Sequence, residues 1–263
     1  MLIASYFYKS LLIRALSAFF LIVLALFSNY IGSYFFLVTI ILVFFILLYE
    51  YYQLFSIKIL TYIFFFSCLL TSISFFLIFY NFYLLIVFPV ILNFIIILII
   101  EKKRWLPYIF PLIYLTFPLY AIVYLNNIVD SGKVIILWSF IIVWSSDISA
   151  FLFGKMLKGP KLFPRISPNK TWSGFLCSIL FSIIASIIFI NFFPIANSFY
   201  ASLMGFIVGL GCSAGDLFES WLKRINLKKD TSNLIPGHGG LLDRLDGFLF
   251  GIIIMFIMTL TRG

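Results

Sequence analysis

Charge is what this 263-residue chain has least of: Asp, Glu, Lys and Arg together make up 10% of it, against 64% hydrophobic residues. Soluble domains carry about a quarter charged residues, so a soluble fold is excluded. Cysteine is scarce as well. Cys68, Cys177 and Cys212 stand apart, without CxxC or metal-ligand spacing, and read as small apolar packing residues. No small-residue cleavage site follows the first apolar run, so that run is expected to be a retained helix and not a removable signal peptide. No long internal repeat is present. A basic soluble domain is also missing, so the net charge of +9 gives no reason to expect a nucleic-acid partner.

What the chain does have is a succession of long apolar runs. A membrane-spanning helix needs about 20 such residues. The pattern predicts an all-α polytopic membrane protein with nine spans, at about 12–30, 33–50, 59–79, 82–100, 106–125, 134–153, 174–193, 199–217 and 246–261. The runs are unbroken rather than alternating, which argues against a transmembrane barrel. Cations concentrate in short cytoplasmic loops, so counting them sets the orientation. With the N-terminus inside, sixteen of the eighteen Lys and Arg residues fall on the cytoplasmic side, leaving only Lys133 and Arg262 outside. This predicts a cytoplasmic N-terminus and an external C-terminus. The chain reads as a single membrane domain. Residues 1–130 would support the fold, with a lipid-facing cavity or dimer contacts, and residues 131–263 would carry the catalytic helices and cytoplasmic loops.

The exception to the apolar pattern lies near the end. Residues 216–246 hold five of the nine acids, Asp216, Glu219, Asp230, Asp243 and Asp246, together with Lys223, Arg224, Lys228, Lys229, Arg244 and the only histidine, His238. Asp216, Glu219, Ser220, Lys223 and Arg224 recur at helical spacing on one face of a continuing eighth span. Such a face can be a set of solvated i,i+4 salt bridges, or it can stack acid and base toward one site. Glycines in "PGHGG" let the backbone turn sharply, and Asp243 and Asp246 then stand one turn apart as the last span begins. Hard carboxylate oxygens with Lys and Arg between them suit a Mg²⁺–phosphate site, with Asp216 and Asp243 the leading ligands. His238 would contact phosphate, relay a proton or brace the turn.

Two further features lie upstream. Asp147 sits inside the sixth span, where a carboxylate is costly unless it meets a cation, metal or water. The loop after it carries five cations broken by Gly and Pro and reads as an irregular anion-binding lid. Ser167, Asn169, Lys170 and Thr171 lead into the seventh span, whose N-terminus could serve a phosphate, although "SPNKT" alone could equally be a helix cap.

The run from Ser220 to Asp246, "SWLKRINLKKDTSNLIPGHGGLLDRLD", resembles the signature of the phosphatidate cytidylyltransferase family, also called CDP-diacylglycerol synthases. The resemblance covers Ser220, Lys223 and Arg224; Lys229 and Asp230; His238, Gly239 and Gly240; and Asp243, Arg244 and Asp246. Asp147, Asp216 and Ser167-Pro168-x-Lys170-Thr171 match further family elements in order. Residues 1–130 are similar to the family in hydropathy only. The chain departs at Ser173, where members commonly carry Glu, and at Gly247, where they often carry Ser.

The resemblance implies transfer of CMP from CTP to phosphatidic acid in a bacterial inner membrane, giving CDP-diacylglycerol and pyrophosphate, with the active site facing the cytoplasm. Mg²⁺ would be bound by Asp216, Asp243 and Asp246, with room for a second cation. Catalysis would fall to Asp216, Asp243, Lys223, Arg244 and His238. Substrate contacts would come from Asp147, Ser167, Lys170, Thr171, Ser220, Arg224, Lys229, Asp230, Gly239 and Gly240, in a homodimer among membrane lipids. Three rival readings are a transporter with intramembrane carboxylates, a CDP-alcohol phosphatidyltransferase and a non-catalytic scaffold. The first would spread its acids toward the midplane, and the second would need a DG-x2-AR motif that "DRLDG" does not supply.

Overall fold

The computed structural model describes residues 2–58, 61–237 and 239–261, apart from the side chains of residues 2–11 and of Ile128. Among these the chain forms ten α-helices: α1 Leu2–Ile31, α2 Ser33–Leu54, α3 Tyr62–Phe79, α4 Val87–Ile100, α5 Leu106–Tyr114, α6 Thr116–Ile128, α7 Gly132–Leu157, α8 Trp172–Phe192, α9 Ser198–Ile225 and α10 Leu242–Leu260. A 3-10 turn, Tyr83–Ile86, leads into α4. The expected single span over 106–125 is broken at Leu115 into α5 and α6, with Pro111 and Pro118 on either side of the break. Each proline removes one helical N–H, which weakens the ladder there.

Among the described residues eight segments are long and apolar enough to cross a membrane, as expected of an integral membrane protein. The ninth expected span corresponds to α10, whose first turns carry Asp243, Arg244 and Asp246. Those charges set it apart from the other eight. The large hydrophobic residues left exposed, such as Phe19, Phe88 and Phe192, are those a helix bundle would turn toward lipid.

The chain divides into two compact units, one comprising Met1–Asn127 with Lys228–Arg244 and the other Ile128–Leu227 with Leu245–Gly263. The polar island is thereby split, and α10 starts in the first unit and runs on into the second. In the first unit α2 contributes much of the core, and its Phe44, Leu47, Leu48, Tyr51, Tyr52 and Leu54 are fully or almost fully buried. Polar bonds link its helices: Asn126 Nδ2 donates to Asn29 Oδ1 (2.9 Å) and Ser67 Oγ to Asn93 Oδ1 (3.1 Å). A cavity of about 260 Å³ among α3 to α6 is lined by Thr71, Asn93, Thr116 and Phe117, among others.

The second unit is built on α7, α8 and α9. Buried serines on α8 at Ser178, Ser182 and Ser186 allow close packing and supply bonds that leucine could not. Ser186 Oγ donates to Ala201 O (2.6 Å) and accepts from Trp138 Nε1 (3.0 Å). Between α7 and α8, strands β1 (Lys161–Phe163) and β2 (Ser167–Thr171) form an antiparallel hairpin where an irregular lid was expected. The prolines sit at positions this hairpin tolerates. Pro164 lies beyond β1 in the connection, and Pro168 lies in a two-stranded ribbon, where an absent ladder N–H is permitted. Thr171 then caps α8, its hydroxyl accepting from Gly174 N (3.2 Å), so the helix-cap reading of "SPNKT" holds at that residue.

Candidate active site

In the second unit the expected helical face forms as α9 continues to Ile225, and it carries an i,i+4 pair at a buried place: Lys223 Nζ meets Glu219 Oε2 at 2.8 Å. Lys170, on the hairpin, reaches Asp216 Oδ2 at 2.6 Å. Asp246, from α10, lies within hydrogen-bonding reach of Glu219 and feels the charges of Asp216 and Lys223. The helices can come this close because position 215 is glycine. A Cβ there would stand 2.5 Å from the carbonyl oxygen of Asp246 and 2.9 Å from the Phe250 ring. Asp216, Glu219 and Asp246 thus crowd together, with Lys170 and Lys223 as their countercharges.

Asp147, Asp216 and Asp246 all interact electrostatically with Cys212, one turn before Asp216 on α9, so Asp147 belongs to the same neighbourhood. Glu219 and Ser220 are buried. Arg224 Nε donates to Ile166 O (3.2 Å) in the hairpin connection. Ser167 lies in β2 and is half-buried.

The first unit holds a different arrangement. Asp243 Oδ2 accepts from Thr231 N (3.0 Å), Thr231 Oγ1 (2.8 Å) and Gly240 N (2.8 Å). Glu50, at the end of α2, is wholly buried. Its Oε1 accepts from Ser232 Oγ (2.7 Å) and Leu241 N (2.8 Å), and its Oε2 from Leu242 N (2.7 Å). Gly240 fits only as glycine, because a Cβ would run into Thr231 Oγ1 and come within 2.8 Å of Glu50 Oε2. Gly239 adopts φ +80°, a left-handed conformation that glycine reaches at little cost.

Beside this nest, Gln53 and residues 228–234 line a groove of about 570 Å³. Lys228 Nζ donates to Gln53 O along one wall. Lys229 and Asp230 are exposed in the groove, and Arg244 is exposed at the start of α10. His238 lies outside the described residues.

Of the three acids expected to bind metal, Asp216 and Asp246 come together in the second unit, while Asp243 serves the first unit's nest. Among the described residues no three His, Cys, Asp or Glu groups form a ready metal cage. The donor set suits a different kind of site. Mg²⁺ is commonly held by one or two carboxylates and completes its shell with phosphate and water, and crowded hard oxygens balanced by lysines are what such a site uses.

One participant, Glu50, was not singled out by the sequence, where its only signal was that of an acid at the end of an apolar run. Glu219 was legible as one step of the charged α9 face.

Over residues 12–261 the chain matches the model of the cytidylyltransferase family. It is 36% identical over 126 residues to a phosphatidate cytidylyltransferase of Brucella abortus, covering 48% of this chain and 47% of that protein. It is 34% identical over 157 residues to one of Rickettsia conorii, covering 57% and 67%. A third, from Staphylococcus haemolyticus, is 37% identical over 132 residues, covering 50% and 51%. The matched stretch therefore spans about half the length of the Brucella and Staphylococcus relatives.

Proposed function

The chain belongs to the cytidylyltransferase family, and from that membership and its charged cluster we propose that it transfers CMP from CTP to phosphatidic acid within the membrane. The observation that carries this reading is the meeting of Asp216, Glu219 and Asp246 with Lys170 and Lys223 in the second unit. A phosphate oxygen of phosphatidic acid attacks the α-phosphorus of CTP. A new P–O bond forms, the bond between the α- and β-phosphates breaks, and pyrophosphate leaves with the electron pair. The products are CDP-diacylglycerol and pyrophosphate.

The attacking oxygen is already anionic at neutral pH, so neither a nucleophilic side chain nor a strong base is needed. The protein has to bring two anions together and offset the charge that gathers on the leaving group. Asp216 and Asp246 are the residues that would hold Mg²⁺. When bound, that ion would neutralise phosphate oxygens and polarise the reacting phosphoryl group. Lys170 and Lys223, released from Asp216 and Glu219, become donors to phosphate. Ser220 and Arg224 lie on the same α9 face and extend that surface. Thr171 fixes the start of α8, which holds Lys170 in place. Lys229, Asp230, Gly239, Gly240 and Arg244 are further substrate contacts by the family signature, and Asp243 holds the turn that presents the last two of them.

The reading further includes a bacterial cytoplasmic membrane, a site facing the cytoplasm and association as a homodimer. Its test is direct: protein purified in detergent is given CTP, phosphatidic acid and Mg²⁺, with ATP as the control nucleotide. Formation of CDP-diacylglycerol with CTP and not with ATP supports it. Inactivity with every nucleotide, from folded protein, refutes it.

A further inference from the structure

α10 opens at Leu242 with Leu241 just before it, and neither leucine offers a side-chain oxygen to the amides that open the helix. A helix start leaves four N–H groups without intrahelical partners, and an acceptor has to come from somewhere. It comes from a distant helix: Glu50 of α2 takes the Leu241 and Leu242 amides on its two carboxylate oxygens. Ser232 Oγ adds a third bond, so the same carboxylate ties the island's outgoing strand to its return. The charge also suits the positive end of the helix.

Asp243 is the acid next to Leu242 in sequence, and it is already engaged. Its Oδ2 takes Thr231 N, Thr231 Oγ1 and Gly240 N. Two carboxylates therefore divide the donors of one turn, Glu50 holding Leu241 and Leu242 and Asp243 holding Thr231 and Gly240. Without Glu50, the Leu241 and Leu242 amides would be left buried and unsatisfied, or would draw Asp243 away from its own partners. Asp243 and Arg244 both depend on where that turn begins. Ordinary fold support would not call for an acid here. A carboxylate that is wholly buried in a membrane helix and bonded to neutral donors is a costly cap, and a neutral acceptor would serve stability at a lower desolvation cost.

We propose that Glu50 is a positioning residue for the transfer reaction, holding Ser232 and the first turn of α10 in the geometry from which Asp243 and Arg244 act. The inference rests on the proposed cytidylyltransferase activity. It gives the N-terminal helices, which otherwise look like scaffold, a defined part in turnover.

The test compares wild type, Glu50→Gln and Ser232→Ala, purified in the same detergent, by three readouts: the melting profile, the stoichiometry of CTP binding and the kinetics with CTP and phosphatidic acid. Glutamine keeps the shape and one acceptor oxygen but turns an N–H toward the Leu242 or Leu241 amide. For Glu50→Gln the expected result is CTP bound at the wild-type stoichiometry, KM for both substrates within about threefold, and kcat lower by about 10 to 100-fold, the scale of loss from misplacing a catalytic group. Ser232→Ala, which removes one of three donors, is expected to lower kcat by a few-fold, in the same direction.

Two results overturn the inference: kcat within about twofold of wild type for Glu50→Gln, or a fall in kcat matched by an equal fall in CTP-binding stoichiometry, which would mark a fold defect alone. Should Glu50→Gln fail to yield folded protein, Ser232→Ala decides on the same two criteria. An inactive wild-type protein would instead remove the functional reading on which the inference rests.

Discussion

In the first unit two carboxylates, Glu50 and Asp243, meet mainly backbone N–H and hydroxyl donors; in the second, Asp216, Glu219 and Asp246 meet two ammonium groups and one another. Neutral donors on a turn fix shape, because each bond is directional and losing one leaves a buried group unsatisfied. Ammonium groups on flexible stems offset charge and can exchange partners when a substrate brings its own anions and cation. The first arrangement suits a support, and the second suits a place where charge is handled. Both draw on residues 216–246, the first with Glu50 added and the second with Lys170 added.

The contrast can be broken most forcefully in the second unit. Asp246→Asn removes one of the crowded carboxylates while keeping its shape, and is expected to lower kcat by about a thousandfold with folding intact, as loss of a main electrostatic element does. A variant that keeps more than a tenth of the activity would mean that Asp246 is peripheral. Gly215→Ala comes next. Its methyl group would collide with the Asp246 carbonyl, so α9 and α10 should separate slightly. The expected loss is about a hundredfold in kcat, since a displacement of about 1 Å can cost that much, together with roughly 1 to 3 kcal/mol of stability from overpacking. Measuring activity and thermal unfolding on the same preparation checks both.

Lys170→Met sharpens the comparison further. The pair with Asp216 is half-exposed, so little stability should be lost. A phosphate-holding lysine should instead show itself as a rise of about tenfold in the KM for CTP or phosphatidic acid, close to the energy of one charge-assisted hydrogen bond. Equal kinetics to wild type would reduce Lys170 to a salt-bridge partner. The smallest effect is predicted for Thr171→Ala, which removes the α8 cap. It should cost about 1 kcal/mol in unfolding experiments and leave the CTP-over-ATP preference unchanged.

Much of this was legible in the sequence because hydropathy and helical spacing are local signals. The membrane helices, the continuous α9 face and the Glu219–Lys223 pair follow from residues within a few turns of one another. The break at Leu115 needed only the weight of Pro111 and Pro118. The hairpin at 161–171 was harder. Lys, Gly and Pro look like loop formers, and the pairing of Lys161 with Thr171 depends on register and not on composition. The role of Glu50 was out of reach, because its partners at 232, 241 and 242 lie far along the chain and an acid ending an apolar helix has no local mark of what it will meet. The split of the island between units was equally invisible, as nothing in "DRLD" marks a boundary between Arg244 and Leu245.

The central claim is that Asp216 and Asp246 together hold the divalent cation on which CTP binding depends. The most direct measurement is CTP binding to detergent-purified protein titrated with Mg²⁺, compared between wild type and Asp246→Asn. Wild type should bind CTP only as Mg²⁺ is added, and Asp246→Asn should need at least tenfold more Mg²⁺ or fail to respond, a loss on the scale of a charge-assisted contact. Superimposable Mg²⁺ dependence in the two proteins would contradict the account.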